Sequence, residues 1–278
     1  MNALITGPTS GVGRALAFAL AGAGYNLLLL VRDPAKGRAL AGELAALFPA
    51  VQTDVIPADL ADLASVRAAV TVIRNQYKRL DRLFNNAGYA PARYETVYGY
   101  EKSFVTNHLG HFVLTTGLLD LLEASGDGRV IQVASDAHIL GNVRRFFGKT
   151  RRWVWGAYAD GKLANMLFAR ELARRYADRR ILAFSFHPGF VNTAFAGKLG
   201  PFWRLMMRSM SFLMITPEKA AQTGLYLSSA PAGLLSRFSG WYFVRSRPAR
   251  ALNSGFSDGQ AELLWKKSEE AVAAILPA

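Results

Sequence analysis

The stretch Ala3-Leu4-Ile5-Thr6-Gly7-Pro8-Thr9-Ser10-Gly11-Val12-Gly13 reads as a short apolar strand, a glycine-rich turn and the opening of a helix. Glycine lets such a turn take positive φ and lets the backbone approach a ligand closely. The helix that follows presents unpaired N–H groups and a partial positive charge at its first turn. Strand, turn and helix in this order form a seat for a diphosphate, and near the start of an α/β unit they point to a dinucleotide. The candidate contacts are Gly7, Thr9, Ser10, Gly11, Val12 and Gly13, in the spacing GxxxGxG. Pro8 has no N–H and cannot donate.

Outward from this turn, strand-length apolar runs alternate with helix-length amphipathic stretches. Asn26–Val31 (NLLLLV) is almost continuously apolar, as expected of a strand buried on both faces. Strands are predicted at about 3–6, 26–31, 51–58, 83–85, 130–134, 181–187 and 241–244. Helices are predicted at about 12–22, 34–48, 63–77, 101–123, 158–177, 217–227 and 258–276. Repeated strand–helix units imply parallel neighbours joined by crossovers. The expected class is therefore α/β: one doubly wound parallel sheet of about seven strands with helices on both faces, in a single domain over residues 1–278. Two long excursions, 136–156 and 193–216, leave from strand C-terminal ends. Open parallel sheets bind ligands at that edge, so both loops are expected to shape a substrate pocket.

Apolar residues make up 51% of the 278 positions and charged residues 19%, a balance that folds rather than stays disordered. The absence of cysteine excludes disulfides, thiolate metal sites and cysteine nucleophiles. No apolar run is long enough for a transmembrane segment and no targeting signal is visible, so a cytoplasmic location is expected. The formal net charge of +13 admits nucleic acid, an anionic membrane or an acidic ligand. No segment reads as a nucleic-acid recognition motif, and the basic residues spread over several segments as on a solvated surface. The densest cluster is Arg144, Arg145, Lys149, Arg151 and Arg152, interleaved with Phe146, Phe147, Trp153 and Trp155. It leaves three readings open: peripheral membrane contact, a substrate carboxylate, or plain solvation. The second excursion is rich in Phe, Leu and Met (Phe195, Phe202, Trp203, Met206, Met207, Met210), which suits either a large apolar ligand or ordinary packing. His108, His111, His138 and His187 form no metal-ligand spacing; His108 and His111 read as packing or capping residues, and no metal is expected.

Further candidates lie at strand ends. Val31-Arg32 closes the second strand without the acid that would bind ribose hydroxyls, and Arg32 suits a 2′-phosphate, so NADP(H) is favoured over NAD(H). Asp33 beside it argues the other way. Asp59 and Leu60 follow the third strand, where they could meet an adenine. Asn86, Ala87 and Gly88 follow the fourth, where small residues let the chain pass under a cofactor. Ser135 follows the fifth. Tyr158 and Lys162 sit four apart on a helix and so share a face. An ammonium near a phenol favours the phenolate and is expected to lower the tyrosine pKa from about 10, fitting it for proton transfer. Tyr98 and Lys102 have the same spacing, but they precede the Ser135 strand and read as an exposed helix start.

Taken together, TGxxxGxG, Asn85-Asn86-Ala87-Gly88, Asn107, Ser135 and YxxxK resemble the short-chain dehydrogenases/reductases. Thr106-Asn107-His108-Leu109-Gly110-His111-Phe112, Tyr158 to Asn165, His187-Pro188-Gly189 and Thr216-Pro217-Glu218 are similar to the retinol-dehydrogenase and protochlorophyllide-reductase-like branch. The resemblance covers nearly the whole chain and implies a single-domain Rossmann fold. It also implies roles: Ser135 bonds the substrate oxygen, Tyr158 exchanges the proton, and Lys162 holds the ribose and tunes Tyr158. Asn107 would anchor a water relay behind Lys162. Pro188, Gly189, Val191 and Thr193 would secure the nicotinamide. Members often pair through the helices carrying Asn107 and Tyr158, which implies a homodimer or homotetramer. The expected function is NADP(H)-dependent interconversion of a lipophilic ketone or aldehyde and its alcohol. Alternatives are reduction of a conjugated carbon–carbon double bond, or a non-catalytic NADP(H) sensor or scaffold.

Overall fold

The computed structural model describes residues 1–90, 93–148, 154–189 and 215–277, without the side chains of 154 and 155. The chain runs β1 (Asn2–Thr6), α1 (Gly11–Gly22), β2 (Asn26–Val31), α2 (Pro34–Leu47), β3 (Thr53–Pro57), α3 (Leu63–Gln76) and β4 (Arg82–Asn85). A hairpin of β5 (Thr96–Val97) and β6 (Tyr100–Glu101) leads into α4 (Lys102–Phe104), a π turn (Val105–Leu109), α5 (Gly110–Gly117) and α6 (Leu119–Glu123). Then come β7 (Gly128–Val133), α7 (Val154–Arg175), β8 (Ile181–His187), α8 (Pro217–Ser229), α9 (Ala232–Leu235), β9 (Tyr242–Val244), β10 (Arg247–Ala249) and α10 (Asp258–Ile275). The main sheet has the order β10-β9-β8-β7-β4-β1-β2-β3. All its pairings are parallel except β9–β10.

Strand alternation divides the core between the two faces. Leu4, Leu28 and Leu30 point to a cluster with α3, α5, α7 and α10. Their neighbours Ala3, Ile5, Leu27, Leu29 and Val31 point to a second cluster with α1, α2 and α8. The unbroken apolar run of β2 follows from this, since each of its two side-chain rows has a helix layer to meet. Each leucine buried in this way contributes roughly 1.5–3 kcal/mol. Side-chain caps start the helices: Asp33 accepts from the amides of Ala35 and Lys36 at α2, and Asp62 from those of Ala64 and Ser65 at α3.

Three expectations need correction. The sheet has eight described strands, not seven. The added β10 is a Pro-containing antiparallel edge strand whose basic, non-alternating sequence hides it. It follows a tight turn in which Arg245 and Ser246 take positive φ. Tyr98 is not a helix start: it sits with Gly99 at positive φ in the turn of the β5–β6 hairpin. Its hydroxyl accepts from the Leu63 amide and donates to Asp62. The helix expected at 101–123 is divided into α4, the π turn, α5 and α6. Nothing in its periodicity marks the divisions. Its glycines mark close approaches to the loop before α3 and to α3 itself: a Cβ on Gly110 would lie 2.4 Å from the Leu60 carbonyl oxygen, and one on Gly117 2.7 Å from Val70.

The C-terminal helix α10 packs across α7 and the π turn. Trp265 meets Phe112 and Phe168 with ring centroids 5.1 and 5.6 Å away. Both helical stretches that carry Asn107 and Tyr158 thus touch the chain's own last helix. The aromatics of the basic cluster also turn inward: Phe146 stacks on Phe104 at 5.8 Å and Phe147 meets it edge-on at 5.1 Å, whereas Arg144 and Arg145 are exposed. Lys149, Arg151, Arg152 and Trp153 lie outside the described residues.

Gly110→Ala is expected to lower unfolding free energy by about 1–3 kcal/mol, because backbone must move to admit the methyl. Gly42→Ala, in an open position of α2 with nothing within 4 Å, should raise it by roughly 0.5–1 kcal/mol. Urea unfolding of the two variants checks both.

Candidate active site

The turn between β1 and α1 is built for close approach. Gly7 and Gly11 take φ of +62° and +53°. A Cβ on Gly13 would fall 2.3 Å from the Gly7 carbonyl oxygen and 2.4 Å from Asn86 Nδ2, so only glycine lets α1 start this near the turn. Thr9 and Ser10 complete the turn, and Val12 lies in the first helical turn. Ser10 occupies the cap position of α1 without bonding its side chain to the helix amides. Those amides face the sheet edge without a side-chain cap, which suits a diphosphate.

The loop after β4 closes against this turn. Asn86 Nδ2 donates to the carbonyls of Thr6 (2.8 Å) and Gly7 (3.2 Å). Thr6 Oγ1 accepts from the amides of Asn86 (3.0 Å) and Ala87 (2.9 Å). Arg32 lies exposed at the end of β2. Asp33 caps α2, and the Lys36 and Ala35 amides hold its carboxyl below the usual carboxylate range. Its charge is thus engaged by α2, which weakens the objection it raised to a phosphate at Arg32. Asp59 is turned onto its own loop, accepting from the Ala61 amide at 2.9 Å, and Leu60 is buried against Gly110.

Ser135, Tyr158 and Lys162 come together at the C-terminal ends of β7 and β4. Ser135 Oγ accepts from the Ala137 amide at 3.2 Å, and its hydroxyl bonds the Tyr158 phenol. Lys162 is 3% exposed, and its Nζ donates to the Val133 carbonyl at 2.8 Å. The ammonium stands over the Tyr158 ring, 5.5 Å from its centroid. A Cβ on Gly88 would lie 3.5 Å from that Nζ, so the glycine leaves the backbone open beside the lysine. The expected lowering of the tyrosine pKa is not what this state shows. Burial pushes the Tyr158 phenol up to about 12, against the opposing bond from Ser135, and burial pushes Lys162 down to about 8. Withdrawal from water penalises both charged forms, and here it outweighs a lysine placed over the ring.

Asn107 lies in the π turn, where its side chain clamps Tyr89: Oδ1 accepts from the Tyr89 amide at 2.7 Å and Nδ2 donates to its carbonyl at 3.0 Å. The Asn107 carbonyl accepts from His111 Nδ1 at 3.0 Å. In the amide orientation that satisfies its neighbours, Asn165 donates to the same carbonyl at 2.7 Å. His111 Nε2 meets Thr6 Oγ1 at 2.9 Å, and His108 Nε2 meets Ser268 Oγ at 2.7 Å. Burial drives His108 down to about 3 and His111 to about 4, so both are neutral.

Several contacts near the site had no counterpart in the sequence reading. Asp136 accepts from the Tyr242 hydroxyl at 2.8 Å and pairs with His187 Nε2 at 3.3 Å. His138 Nδ1 donates to the Ser135 carbonyl at 2.9 Å. These contacts tie the Ser135 turn to β9 and to the end of β8, where Pro188 and Gly189 follow, with Gly189 at φ +92°. The signals available were that Asp136 follows Ser135 and that His187 opens the motif His187-Pro188-Gly189. Val191, Thr193 and the apolar second excursion up to residue 214 lie outside the described residues. Among the described residues no group of His, Asp or Glu could hold a metal ion, and no helix is long and apolar enough to cross a membrane.

Fold and site together are those of an oxidoreductase built on a nucleotide-binding α/β sheet. Residues 1–202 match the family described as short chain dehydrogenase. The chain is 35% identical over 273 residues to retinol dehydrogenase 12 of Mus musculus, covering 96% of this chain and 84% of that protein. It is 35% identical over 295 residues to retinol dehydrogenase 14 of Homo sapiens, covering 98% and 86%. Among solved structures it is similar to a candidate NAD(P)-dependent gluconate 5-dehydrogenase from Beutenbergia cavernae with bound NADP, at TM-score 0.71 and 25% identity over 88% of this chain and 94% of that one. NADPH-bound carbonyl reductase from chicken fatty liver shares the fold at TM-score 0.69 and 22% identity, covering 90% and 98%. The chain belongs to the short-chain dehydrogenase family and, within it, falls with the retinol dehydrogenase-like members.

The buried histidines make stability depend on acid. Unfolded histidine titrates near 6.5, whereas His108 and His111 stay neutral down to about 3 and about 4. Below pH 6.5 the unfolded chain therefore binds more protons, and stability is lost on acidification. Each histidine should cost on the order of 1 kcal/mol per pH unit as pH falls below 6.5. Urea midpoints at pH 7.5 and 5.0 measure the loss, and an unchanged midpoint would contradict it.

Proposed function

We propose that the chain is an NADP(H)-dependent oxidoreductase that interconverts a lipophilic ketone or aldehyde and its alcohol. The observation that carries this is the meeting of the Ser135 hydroxyl, the Tyr158 phenol and the Lys162 ammonium at the sheet edge where the α1 amides open. The whole chain is read as one nucleotide-binding domain, with 136–156 and 193–216 supplying the substrate side. The lipophilic class is supported by the retinol dehydrogenases among its relatives. NADP(H) is supported by exposed Arg32, by the engagement of Asp33 in a helix cap, and by the NADP-bound structural neighbour.

The cofactor-holding residues are assigned as follows. Gly7, Thr9, Ser10, Gly11, Val12 and Gly13 cradle the diphosphate, Arg32 takes the 2′-phosphate, and Asp59 and Leu60 flank the adenine. Asn86, Ala87 and Gly88 form the floor, Tyr158 and Lys162 contact the ribose, and Pro188, Gly189, Val191 and Thr193 hold the nicotinamide end. The bound nicotinamide supplies or accepts a hydride. The protein's own part is to hold and move the proton. Ser135 bonds the substrate oxygen beside Tyr158, and Tyr158 gives its phenolic proton to that oxygen in reduction. Lys162, charged below about 8, stabilises the resulting phenolate, with Asn107 positioned behind it.

Assays of NADPH oxidation against a carbonyl panel that includes all-trans-retinal and medium-chain aldehydes test this reading; NADPH binding without turnover of any carbonyl would reject it in favour of a sensor. Tyr158→Phe should lower kcat by at least about 100-fold while NADPH binding survives. Arg32→Asp should move the NADPH-over-NADH preference towards NADH by about tenfold or more, read from kcat/KM for each nucleotide. Reduction should also slow as pH rises through about 8, where Lys162 loses its charge. A flat profile to pH 9.5 would reject that role for the lysine.

A further inference from the structure

We propose that His111 is a positioning residue for the reaction: one neutral imidazole that joins the cofactor floor after β4 to the backbone shelf beside Lys162. The proposal rests on the reductase reading for its kinetic consequences, while its structural core stands on the hydrogen bonds alone. His111 is 0% exposed and bridges two parts of the site distant in sequence. Nδ1 faces the Asn107 carbonyl, which can only accept, so Nδ1 carries the proton. In a neutral ring Nε2 then has the lone pair, and at 2.9 Å it is a closer acceptor for the Thr6 hydroxyl than the Phe84 carbonyl, which that hydroxyl also reaches at 3.4 Å.

That donation decides what Thr6 does next. With its proton directed at His111, the oxygen keeps its lone pairs for the amides of Asn86 and Ala87. Those amides begin the loop that runs through Gly88, where an added Cβ would lie 3.5 Å from Lys162 Nζ. At the other end of the ring, the Asn107 carbonyl is held in the π turn, and the same residue's side chain clamps Tyr89, one residue beyond Gly88. The imidazole thus holds both ends of the Asn86–Tyr89 segment, one through Thr6 and one through Asn107. An imidazolium would fail here, since Nε2–H would face an oxygen already accepting two amides. Burial keeps that form away by holding the ring neutral. A packing histidine would need neither bond, and a helix cap would need only one.

The test compares His111→Phe, which fills the space without either bond, with His111→Gln, which restores one donor and one acceptor. Tyr25→Phe removes a buried hydroxyl that bonds the Ser228 carbonyl in the other core cluster and serves as the stability control. In His111→Phe, amide exchange at Asn86 and Ala87 should quicken by about tenfold or more, with NADPH affinity and kcat each falling about tenfold and KM for the carbonyl little changed. His111→Gln should regain most of each loss, and Tyr25→Phe should move none of them beyond its effect on global stability. Thr6→Val combined with His111→Phe should be no worse than Thr6→Val alone, since both break one chain of bonds. Wild-type exchange at Asn86 and Ala87 in His111→Phe would overturn the proposal, as would equal losses in Tyr25→Phe. If His111→Phe does not fold, the comparison of His111→Gln with wild type decides it: exchange close to wild type sustains the bridge, and exchange as fast as in Thr6→Val overturns it. Failure of the wild type to reduce any carbonyl would reject the reductase reading, and the exchange measurements would still judge His111.

Discussion

A buried ammonium is the constraint around which the site is arranged. Taking Lys162 out of water penalises its charged form, which is why its pKa falls to about 8. The cost is tolerable only where fixed groups replace the lost solvent. The Val133 carbonyl does so at the end of β7, and Gly88 adds no side chain in the way. The same placement sets the ammonium over the Tyr158 ring, and the same withdrawal from water holds the phenol protonated. A protonated phenol beside a charge that favours its conjugate base is a donor ready for an oxyanion. The pair is matched by burial rather than by contact between the two heads.

The sheet provides the rigidity that such a pair needs. β1, β4, β7 and β8 are neighbours, and their C-terminal ends bring Thr6, Asn86, Val133 and His187 to one edge. Both faces are closed by helices, so none of these strands can shift without disturbing two packed layers. Across that edge runs a series of polar bonds: part-buried from Asp136 to Tyr242 and His187 and from His138 to the Ser135 carbonyl, and buried from Thr6 through His111 to Asn107. Such networks rigidify when every member is satisfied. Behind them α10 lies on α7 and meets His108 through Ser268, so the last helix of the chain braces the helix that carries Tyr158.

The readable parts were those whose pattern is local. β2 and β8 were legible to the residue because a strand buried on both faces shows as an apolar run between turn signals. The glycine turn was legible because positive φ and close approach leave glycine as the usual choice. The hairpin turn at Tyr98-Gly99 was missed because tyrosine seldom takes positive φ, and β10 because its three residues, Arg247-Pro248-Ala249, carry a proline and show no strand alternation. The π turn left no mark in periodicity, although it decides where Asn107 stands.

The sequence by itself determined the strand–turn–helix start, the alternation of strands and helices from β1 to β4, and the sharing of one helical face by Tyr158 and Lys162. These follow from hydrophobic period, backbone sterics and helix geometry, all of which act over a few residues. Tertiary structure alone decided the protonation of the pair, because desolvation depends on what the rest of the fold places around a group. It alone decided that two histidines read as packing or capping residues would be neutral hydrogen-bonding struts, since Thr6 and His111 are 105 positions apart and meet only when β1 and α5 share one sheet edge.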